Sequence, residues 1–224
     1  MAAGEASSVA VIVDLVGSRR HADRAWVHRA FTGALEAVNA AVPAVQPLAP
    51  TVGDEAQARY GTVAAALHAT LLLRLELPVG LDARAGVGVG AVQLLGEGAA
   101  GLLQDGPGWW AARDAVNEAK SRELGRDRTL RTWYVAATGV SHEPADRRRR
   151  LPEEALVHAV LLLRDEIVSR LPQRSRRLLH GVLEGRTQAE LAAAEGVSAS
   201  AISQNLRRSG AYAVLHAHER LMHR

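Results

Sequence analysis

Residues 188–208, QAELAAAEGVSASAISQNLRR, predict two short helices joined by a tight turn. Leu191 supplies an apolar inner face to the first helix, and Ile202 and Leu206 supply one to the second. Gly196 lies at the turn, where a residue without Cβ adopts a positive φ at no steric cost. This pattern is typical of a helix-turn-helix, whose second helix enters the DNA major groove. An ordinary helical hairpin with a glycine corner is the alternative.

The outward side chains of the second predicted helix are small or able to form hydrogen bonds. Ser198 is also a favourable N-cap for that helix. Small polar side chains suit the edges of bases, and the two arginines at the helix end suit phosphates. The residues predicted to contact double-stranded DNA are Ser198, Ser200, Ser203, Gln204, Arg207 and Arg208.

The composition bounds the class of protein. The chain has 224 residues, and 48% of them are hydrophobic, which is enough for one large domain or two small ones. Cysteine is absent, so disulfides and thiolate chemistry are excluded. The sequence has neither an apolar run of membrane-spanning length nor the basic start of a signal peptide. We therefore expect a cytoplasmic protein that does not enter a membrane.

The net charge of +3 is unevenly distributed along the chain. Residues 1–140 carry 13 basic and 14 acidic side chains, whereas residues 141–224 carry 14 and 10. A basic excess beside the predicted helix-turn-helix favours DNA binding through counterion release. The run Arg147–Arg150 is large enough to supply that excess, so a solvated linker is the alternative explanation.

Residues 1–140 predict alternating strands and helices. Val9–Val13 is a short β-branched run that predicts a buried strand ending at Asp14, and residues 96–106 predict a glycine-rich loop. Further strands are predicted over 45–52, 55–60, 81–95 and 131–136, and helices over 22–40, 62–77 and 107–123. The order β-α-β-β-α-β-α-β predicts an α+β fold, a ferredoxin-like sandwich with its helices on one face of the sheet.

Residues 141–152, SHEPADRRRRLP, are polar, charged and contain proline, which predicts a linker. The remaining chain predicts helices over 153–171, 173–184, 187–194, 199–208 and about 210–222, with a solvated end over Leu215–Arg224. We therefore expect a ligand-binding domain over 1–140 and an all-α helix-turn-helix domain over 153–224. One apolar stripe on the first of these helices comprises Leu156, Val160, Leu163, Ile167 and Leu171. It either forms a dimer seam or packs against the helix-turn-helix, and we favour the packing.

Asp14 ends the first predicted strand and precedes the turn LVGSRR. A carboxylate at a strand end suits Mg²⁺, and backbone N–H groups in a Gly-Ser turn suit phosphate oxygens. Gly17, Ser18 and Arg19 are therefore predicted to bind the phosphates of a nucleotide. Alternatively, Asp14 merely caps the turn that follows it.

Asp54 and Glu55 lie at a predicted hairpin tip after Gly53. In a β-α-β-β sheet this tip approaches the end of the first strand. The carboxylates of Asp14, Asp54 and Glu55 are therefore predicted to share one or two divalent ions. A plain hairpin turn is the alternative.

Two further features bear on a ligand site. Gly86, Gly88 and Gly90 alternate along a predicted strand and so remove the side chains from one of its faces. Glycines inside a strand mark the close approach of a ligand or of another backbone, such as a covering helix. Trp109 and Trp110 either stack on a base or pack in the core or at a dimer seam.

The order of these motifs resembles the palm-type nucleotidyl cyclase fold of class III adenylyl and guanylyl cyclases and of diguanylate (GGDEF) cyclases. Along nearly the whole chain it also resembles the SatD family. The matching segments are VIVDLVGS at 11–18, VGDEAQ at 52–57, RAGVG at 84–88, the DGP turn at 105–107 with Ala112-Arg113 after it, and the C-terminal helix-turn-helix. This resemblance implies that Asp14 and Asp54 hold metal ions and that Arg84 and Arg113 contact the nucleotide.

One part of the cyclase pattern is not matched. Class III cyclases carry an Asn and an Arg four residues apart on the helix after the DGP-like turn, where they stabilise the transition state and orient the ribose. Here Trp110 falls near the Asn position and Arg113 is three residues beyond it, with Asn117 and Lys120 one to two turns later. Retained metal carboxylates without these residues favour nucleotide binding without efficient turnover.

The sequence therefore predicts a DNA-binding transcriptional regulator whose cyclase-like domain binds a nucleotide or nucleotide second messenger with Mg²⁺. Operators usually offer two half-sites, so we expect a homodimer. The alternative is an active nucleotidyl cyclase, in which Asp14 and Asp54 hold two metal ions and a ribose 3′-hydroxyl attacks the α-phosphate. A third interpretation makes the first domain a dimerisation scaffold without a ligand.

Overall fold

The first part of the chain alternates strands and helices in a computed structural model that describes residues 7–51, 53–98, 101–137 and 144–222. The strands are β1 Ser7–Val16, β2 Gln46–Pro50, β3 Glu55–Tyr60, β4 Asp82–Ala91, β5 Gln93–Gly98, β6 Gly101–Asp105 and β7 Thr132–Ala136. The helices are α1 Arg24–Ala41, α2 Val63–Glu76 and α3 Pro107–Leu124, with a 3-10 turn at Ser18–Arg20.

Five strands form one sheet in the order β2-β3-β1-β4-β7, and all neighbours are antiparallel except β4 and β7. Strands β1 to β4 with α1 and α2 form the ferredoxin-like β-α-β-β-α-β arrangement, which confirms the predicted α+β fold. The central strand β1 places Asp14 opposite Glu55 on β3 and opposite Arg84 on β4. Directly opposed residues point to the same face of a sheet, so these three side chains share a face.

Helices cover both faces of the sheet, so the prediction of helices on one face was wrong. Val9, Val11 and Val13 pack in the same core as α1 and α2, whereas Ala10 and Ile12 pack against α3. β1 is therefore buried on both sides. This burial explains why its sequence is a continuous apolar run rather than an alternation.

The backbone of α3 lies directly on β4 at the three alternating glycines. A Cβ atom at Gly86 would lie 2.2 Å from the carbonyl oxygen of Ala112, and one at Gly88 would lie 2.2 Å from the Ala112 nitrogen. A Cβ at Gly90 would lie 2.7 Å from the nitrogen of Gly108. These contacts are with backbone atoms, which cannot move aside cheaply. A covering helix, rather than a ligand, accounts for the glycines.

Strands β5 and β6, Gln93–Gly98 and Gly101–Asp105, pair as an antiparallel hairpin, where the sequence predicted a loop over 96–106. Gln93 pairs with Asp105, and the register shifts between Leu94 and Gly96. The glycine-rich composition hides the alternation of apolar and polar residues by which strands are recognised, so the hairpin was missed.

The C-terminal part consists of helices. They are α4 Pro144–Arg170, α5 Gln173–Leu183, α6 Gln188–Glu195, α7 Ala199–Arg208 and α8 Ala211–Met222. Residues 144–152 belong to α4, whereas the sequence assigned them to a linker; the linker's first three residues, 141–143, lie outside the described part. Proline is accepted in the first turn of a helix, which is where Pro144 stands. No helix among the described residues is long and apolar enough to cross a membrane.

The C-terminal helices pack on the sheet part through a continuous apolar core. Leu71 and Leu75 of α2 belong to the same cluster as Leu178 of α5 and Leu206 of α7. Leu161 of α4 belongs to the cluster that contains β1 and α1. The predicted boundary between two domains therefore separates parts that share buried surface.

Two predictions about the C-terminal helices were wrong in detail. Leu156 and Leu163 of the predicted stripe are 62% and 67% exposed, because α4 turns Leu161 and the buried side chain of Asp165 inward instead. The end of the chain is not simply solvated. Leu215 is buried, and the ring of His218 stacks on that of His68 in α2 with a centroid distance of 4.5 Å.

Candidate functional site

The end of β1 gathers charged side chains from three neighbouring strands. The Nη1 of Arg84 donates to Oδ2 of Asp14 at 2.7 Å, and its Nη2 pairs with Glu123 of α3. Arg84 is only 6% exposed. Its guanidinium is thus held between two carboxylates, so in this arrangement it positions Asp14 and is not presented to solvent.

The tip of the β2–β3 hairpin lies beside the end of β1, as the topology predicted. The backbone N–H of Leu15 donates to the carbonyl oxygen of Asp54 at 3.1 Å. The hydroxyl of Ser18, which is buried, donates to the Asp54 carboxylate. This contact joins the turn after β1 to the hairpin tip.

Arg113 of α3 holds the third predicted carboxylate. Its Nη1 and Nη2 donate to the two carboxylate oxygens of Glu55 at 2.6 and 2.8 Å. Burial alone would raise the pKa of Glu55, but the hydrogen bonds and charge of Arg113 lower it overall. Glu55 is therefore a stable anion whose two oxygens already have a partner.

Asp14 is the carboxyl group with the least favourable surroundings at this site. Burial raises its pKa above the ordinary value; Arg84 opposes that rise, and the neighbouring charge of Asp54 adds to it. A cation beside Asp14 and Asp54 would relieve both the burial and the repulsion. Lys120 of α3 lowers the pKa of Asp14, which places its positive charge near the same site.

The fit of a metal ion is partial. Within residues 7–51, 53–98, 101–137 and 144–222, no group of three or more His, Cys, Asp or Glu side chains is placed to hold a metal ion. Asp14 and Asp54 are carboxylates of the type that Mg²⁺ prefers; Arg84 donates to Oδ2 of Asp14, and Ser18 donates to Oδ2 of Asp54. Glu55 would have to leave Arg113 to join them, so its predicted role as a ligand requires a rearrangement.

The turn after β1 has the expected backbone but different side-chain contacts. Gly17 has a φ of 70°, which favours glycine, and Ser18 begins a single 3-10 turn. Arg19 is exposed, whereas the side chain of Arg20 lies against Gly17. A cavity of about 290 Å³ lies next to the turn, and Arg20 and His21 line it. Sequence reasoning did not single out His21, because one wall of the cavity comes from residues 80–82, which are distant in the sequence.

One exposed row on α3 was only partly recognised in the sequence. Trp110, Arg113, Asn117 and Lys120 are exposed at helical spacing, and Arg113 and Lys120 both act on the carboxylates beside them. Trp110 is 58% exposed, whereas Trp109 is buried in the core. Trp109 therefore packs in the core, one of the positions that the sequence left open, and stacking of a base on the exposed Trp110 stays a prediction. The spacing of these four residues was the available signal.

Helices α6 and α7 have the geometry that residues 188–208 predicted. Gly196 ends α6 with a φ of 65°, and Ile202 and Leu206 of α7 are fully buried. The side chain of Ser198 accepts a hydrogen bond from the N–H of Ala201 at 3.2 Å, as expected of an N-cap. A capping box of Thr187 and Glu190, which the sequence analysis did not note, begins α6.

Five of the six residues predicted to contact DNA lie on an exposed surface of α7. They are Ser198, Ser200, Gln204, Arg207 and Arg208. Ser203 is partly buried, and its Oγ lies 3.2 Å from the hydroxyl of Tyr212 in α8. Ser203 therefore contacts α8 and does not face outward. The pattern of residues 188–208 could not predict this contact, because Tyr212 lies outside that stretch.

A groove of about 560 Å³ lies between the start of α5 and α7. Arg170 and Arg174 line it together with Gln204, Asn205 and Arg208. The two arginines from the α4–α5 junction were not predicted, because they lie 34 and 30 residues before Gln204 in the sequence and only packing brings them near it.

The sequence matches no family model and no curated protein, and its resemblance to the SatD family stays a prediction. Among solved structures, a bacterial light-regulated adenylyl cyclase is similar to it with a TM-score of 0.42 and 12% identity over 51% of this chain and 40% of that one. The diguanylate cyclase SiaD from Pseudomonas aeruginosa, in complex with its activator SiaC, has a TM-score of 0.39 and 19% identity over 59% of this chain and 50% of that one. The chain thus spans half or less of these structures. At such scores the fold assignment rests on the strand order itself.

Proposed function

We propose that this protein is a DNA-binding transcriptional regulator whose sheet part binds a nucleotide or nucleotide second messenger together with Mg²⁺. The observation that carries the proposal is the exposed face of α7. This face presents small polar side chains, Gln204 and two arginines, and arginines of the α4–α5 junction flank it. Such a surface combines groups for base edges with groups for phosphates.

The position of α7 supports access to a duplex. Its main packing partners are α5, α6 and α8, so the sheet part leaves its outer face open. Gln204 suits the bidentate hydrogen bonds that an adenine accepts and donates in the major groove. Arg170, Arg174 and Arg208 around the groove suit the phosphates on one side of that helix.

The proposed ligand site combines Asp14 and Asp54 with cations on α3. Mg²⁺ on these two carboxylates would neutralise the phosphates of a bound nucleotide. Lys120 would pair with phosphate oxygens, as would the N–H groups of Arg113 that do not donate to Glu55, and the exposed ring of Trp110 would stack on the base. Before a cation binds, Arg84 holds Asp14 in place.

We also propose that DNA is bound as a homodimer, because one short recognition helix offers little specific interface. Leu156 and Leu163 on α4 offer an exposed apolar stripe for the second copy. Sedimentation of the wild type and of a Leu156→Glu, Leu163→Glu double variant tests this. The wild type is expected to be dimeric and the double variant monomeric. A double variant that is still dimeric would assign the dimer to another surface.

The DNA-binding part is tested by selecting sequences from a random duplex library with the full chain and then measuring affinity by fluorescence anisotropy. Gln204→Ala is expected to cost about 1–3 kcal/mol and to relax one base position, whereas Arg208→Ala weakens all sequences and lowers the salt slope by about one. Arg126→Ala, which removes an exposed arginine after α3, is the matched control. If the three variants bind alike, α7 is not the DNA-reading helix.

The ligand-binding part is tested by equilibrium dialysis against Mg²⁺ and a panel of nucleotides, with the retained species identified by chromatography. Retention of an unchanged nucleotide is expected, and Asp14→Asn and Asp54→Asn should lose it. Asp114→Asn removes an exposed acid from the same region of α3 and should keep it. A cyclic product would instead support an active cyclase. Retention by none of the proteins would contradict the ligand site.

A further inference from the structure

A continuous series of ion pairs leads from the proposed ligand site to the C-terminal helices. We call it the charge chain, and it runs from Asp14 through Arg84, Glu123, Arg131, Asp82 and Arg74 to Asp165. We infer that the charge chain couples the charge of Asp14, and any cation bound to it, to the packing of α4 and α5 against the sheet part. Its regulatory meaning rests on the proposed function, whereas the coupling itself does not.

The first half of the charge chain lies under α3. Arg84 bridges Asp14, at 2.7 Å, and Glu123. The second carboxylate oxygen of Glu123 faces Nη1 of Arg131 at 3.3 Å. Glu123 therefore links a strand that carries the ligand site to the residue that precedes β7.

The second half crosses from the sheet to α4. The Nε of Arg131 donates to Asp82 at 2.8 Å, and Asp82 also accepts from Arg74 of α2 at 2.9 Å. Arg74 then donates to Asp165 of α4 at 3.1 Å and to Ser169 at 3.1 Å. Acidic and basic side chains alternate without a break along the whole path.

The far end fixes the C-terminal helices in place. Oδ2 of Asp165 accepts the backbone N–H groups of Arg131 and Thr132, each at 2.7 Å. Arg176 of α5 donates to the carbonyl oxygen of Arg74. α5 lines the groove beside α7, so a shift of this joint also moves the surface proposed to bind DNA.

Because these side chains are buried, a change at one charged group affects the next group in the charge chain. The side chains of Arg74 and Asp165 are 2% and 0% exposed, and those of Arg84 and Arg131 are 7% and 13% exposed. Solvent and salt screen such charges poorly, so each group responds to the position of the next. A cation on Asp14 competes with Arg84, which then turns toward Glu123 and weakens the hold of Glu123 on Arg131.

Hydrogen exchange on the free full-length protein tests the coupling without ligand or DNA. Asp14→Asn and Glu123→Gln are expected to speed exchange of the Arg131 and Thr132 amides by about three-fold or more, because Asp165 holds them less firmly. The amides of β3 next to β1 serve as an internal reference for the intact fold.

Two matched controls separate the charge chain from general destabilisation. Asp54→Asn removes an acid of the same site that pairs with Ser18 instead. Glu118→Gln removes an acid of the same helix that pairs with Arg122, outside the charge chain. Neither should change exchange at Arg131 and Thr132. Equal effects in controls and test variants, or no effect in either, overturn the inference.

The regulatory meaning is tested by measuring DNA affinity with and without Mg²⁺ and the retained nucleotide. Coupled sites typically change one another's affinity by about 5- to 150-fold. In Glu123→Gln the nucleotide should change the DNA affinity by a factor close to one. The affinity for DNA alone and the affinity for nucleotide alone should both stay near the wild-type values. An unchanged factor in Glu123→Gln contradicts transmission through the charge chain. If exchange responds as expected but no nucleotide binds, the coupling stands and the proposed function fails.

Discussion

The end of β1 and the outer face of α7 are both polar surfaces, but they are built in opposite ways. At β1, Asp14 and Arg84 are half-buried or buried charges that partners from distant parts of the chain hold in place. On α7, Gln204 is exposed, and its position depends on the N-cap Ser198 and on two buried residues, all within ten positions. A surface of the first kind responds to changes elsewhere in the molecule, whereas one of the second kind is set locally.

The largest expected effect comes from the support beneath the β1 site. Gly88→Ala places a Cβ against the backbone of α3, so we expect a loss of at least about 4 kcal/mol or failure to fold. Gly33→Ala in α1, where the added Cβ meets nothing within 4 Å, should instead gain about 0.5–1 kcal/mol. Urea unfolding of both variants measures the contrast, and comparable stabilities would mean that α3 does not lie on β4 as described.

A second effect compares a buried ion pair with an exposed one. Arg74→Met removes a buried cation that Asp82 and Asp165 share, although Arg131 and Arg164 remain beside them, and should cost about 3–5 kcal/mol. Arg177→Met removes the exposed pair with Glu195 near α7 and should cost less than about 1 kcal/mol. Thermal unfolding of the two variants checks this difference. Similar losses would place the two ion pairs in equivalent surroundings.

A smaller effect tests whether the α6–α7 turn is set locally. Gly196 has a φ of 65°, so Gly196→Ala should cost about 1–2 kcal/mol. DNA binding should weaken, while nucleotide retention by the sheet part stays unchanged. Anisotropy and dialysis on the same preparation measure both, and a joint loss would show that the turn supports the whole molecule.

The smallest effect concerns pH at the contact between α2 and α8. Burial, together with the nearby His68 and Arg164, lowers the pKa of His218 from 6.5 to about 4. The unfolded chain therefore takes up a proton first, so this contribution to stability is complete above about pH 6.5 and is lost as the pH falls toward 4. His218 is partly exposed, so screening limits the loss to about 1 kcal/mol. His218→Gln should reduce the pH dependence of the free energy of unfolding across this range. An unchanged pH dependence would assign the effect to another group.

Sequence reasoning succeeded where neighbours along the chain supply the interactions. The α6–turn–α7 unit follows from Gly196, Ser198 and the spacing of Ile202 and Leu206. The meeting of Asp14 with the hairpin tip also follows, because strand order fixes which ends adjoin. The hairpin of β5 and β6 and the second helix-covered face were missed, since glycines and a doubly buried strand carry no clear period.

The sequence by itself determined the α+β class, the succession along the chain of the five strands that form the main sheet, and the two short helices with their glycine turn. Hydrophobic spacing and backbone freedom act over a few residues, so they are visible in the printed chain. Only the tertiary structure decided that Glu55 pairs with Arg113 and that Arg170 and Arg174 join Gln204 at one groove. It also decided the path from Asp14 to Asp165. The partners in each case lie far apart in sequence, and packing alone determines which charge meets which.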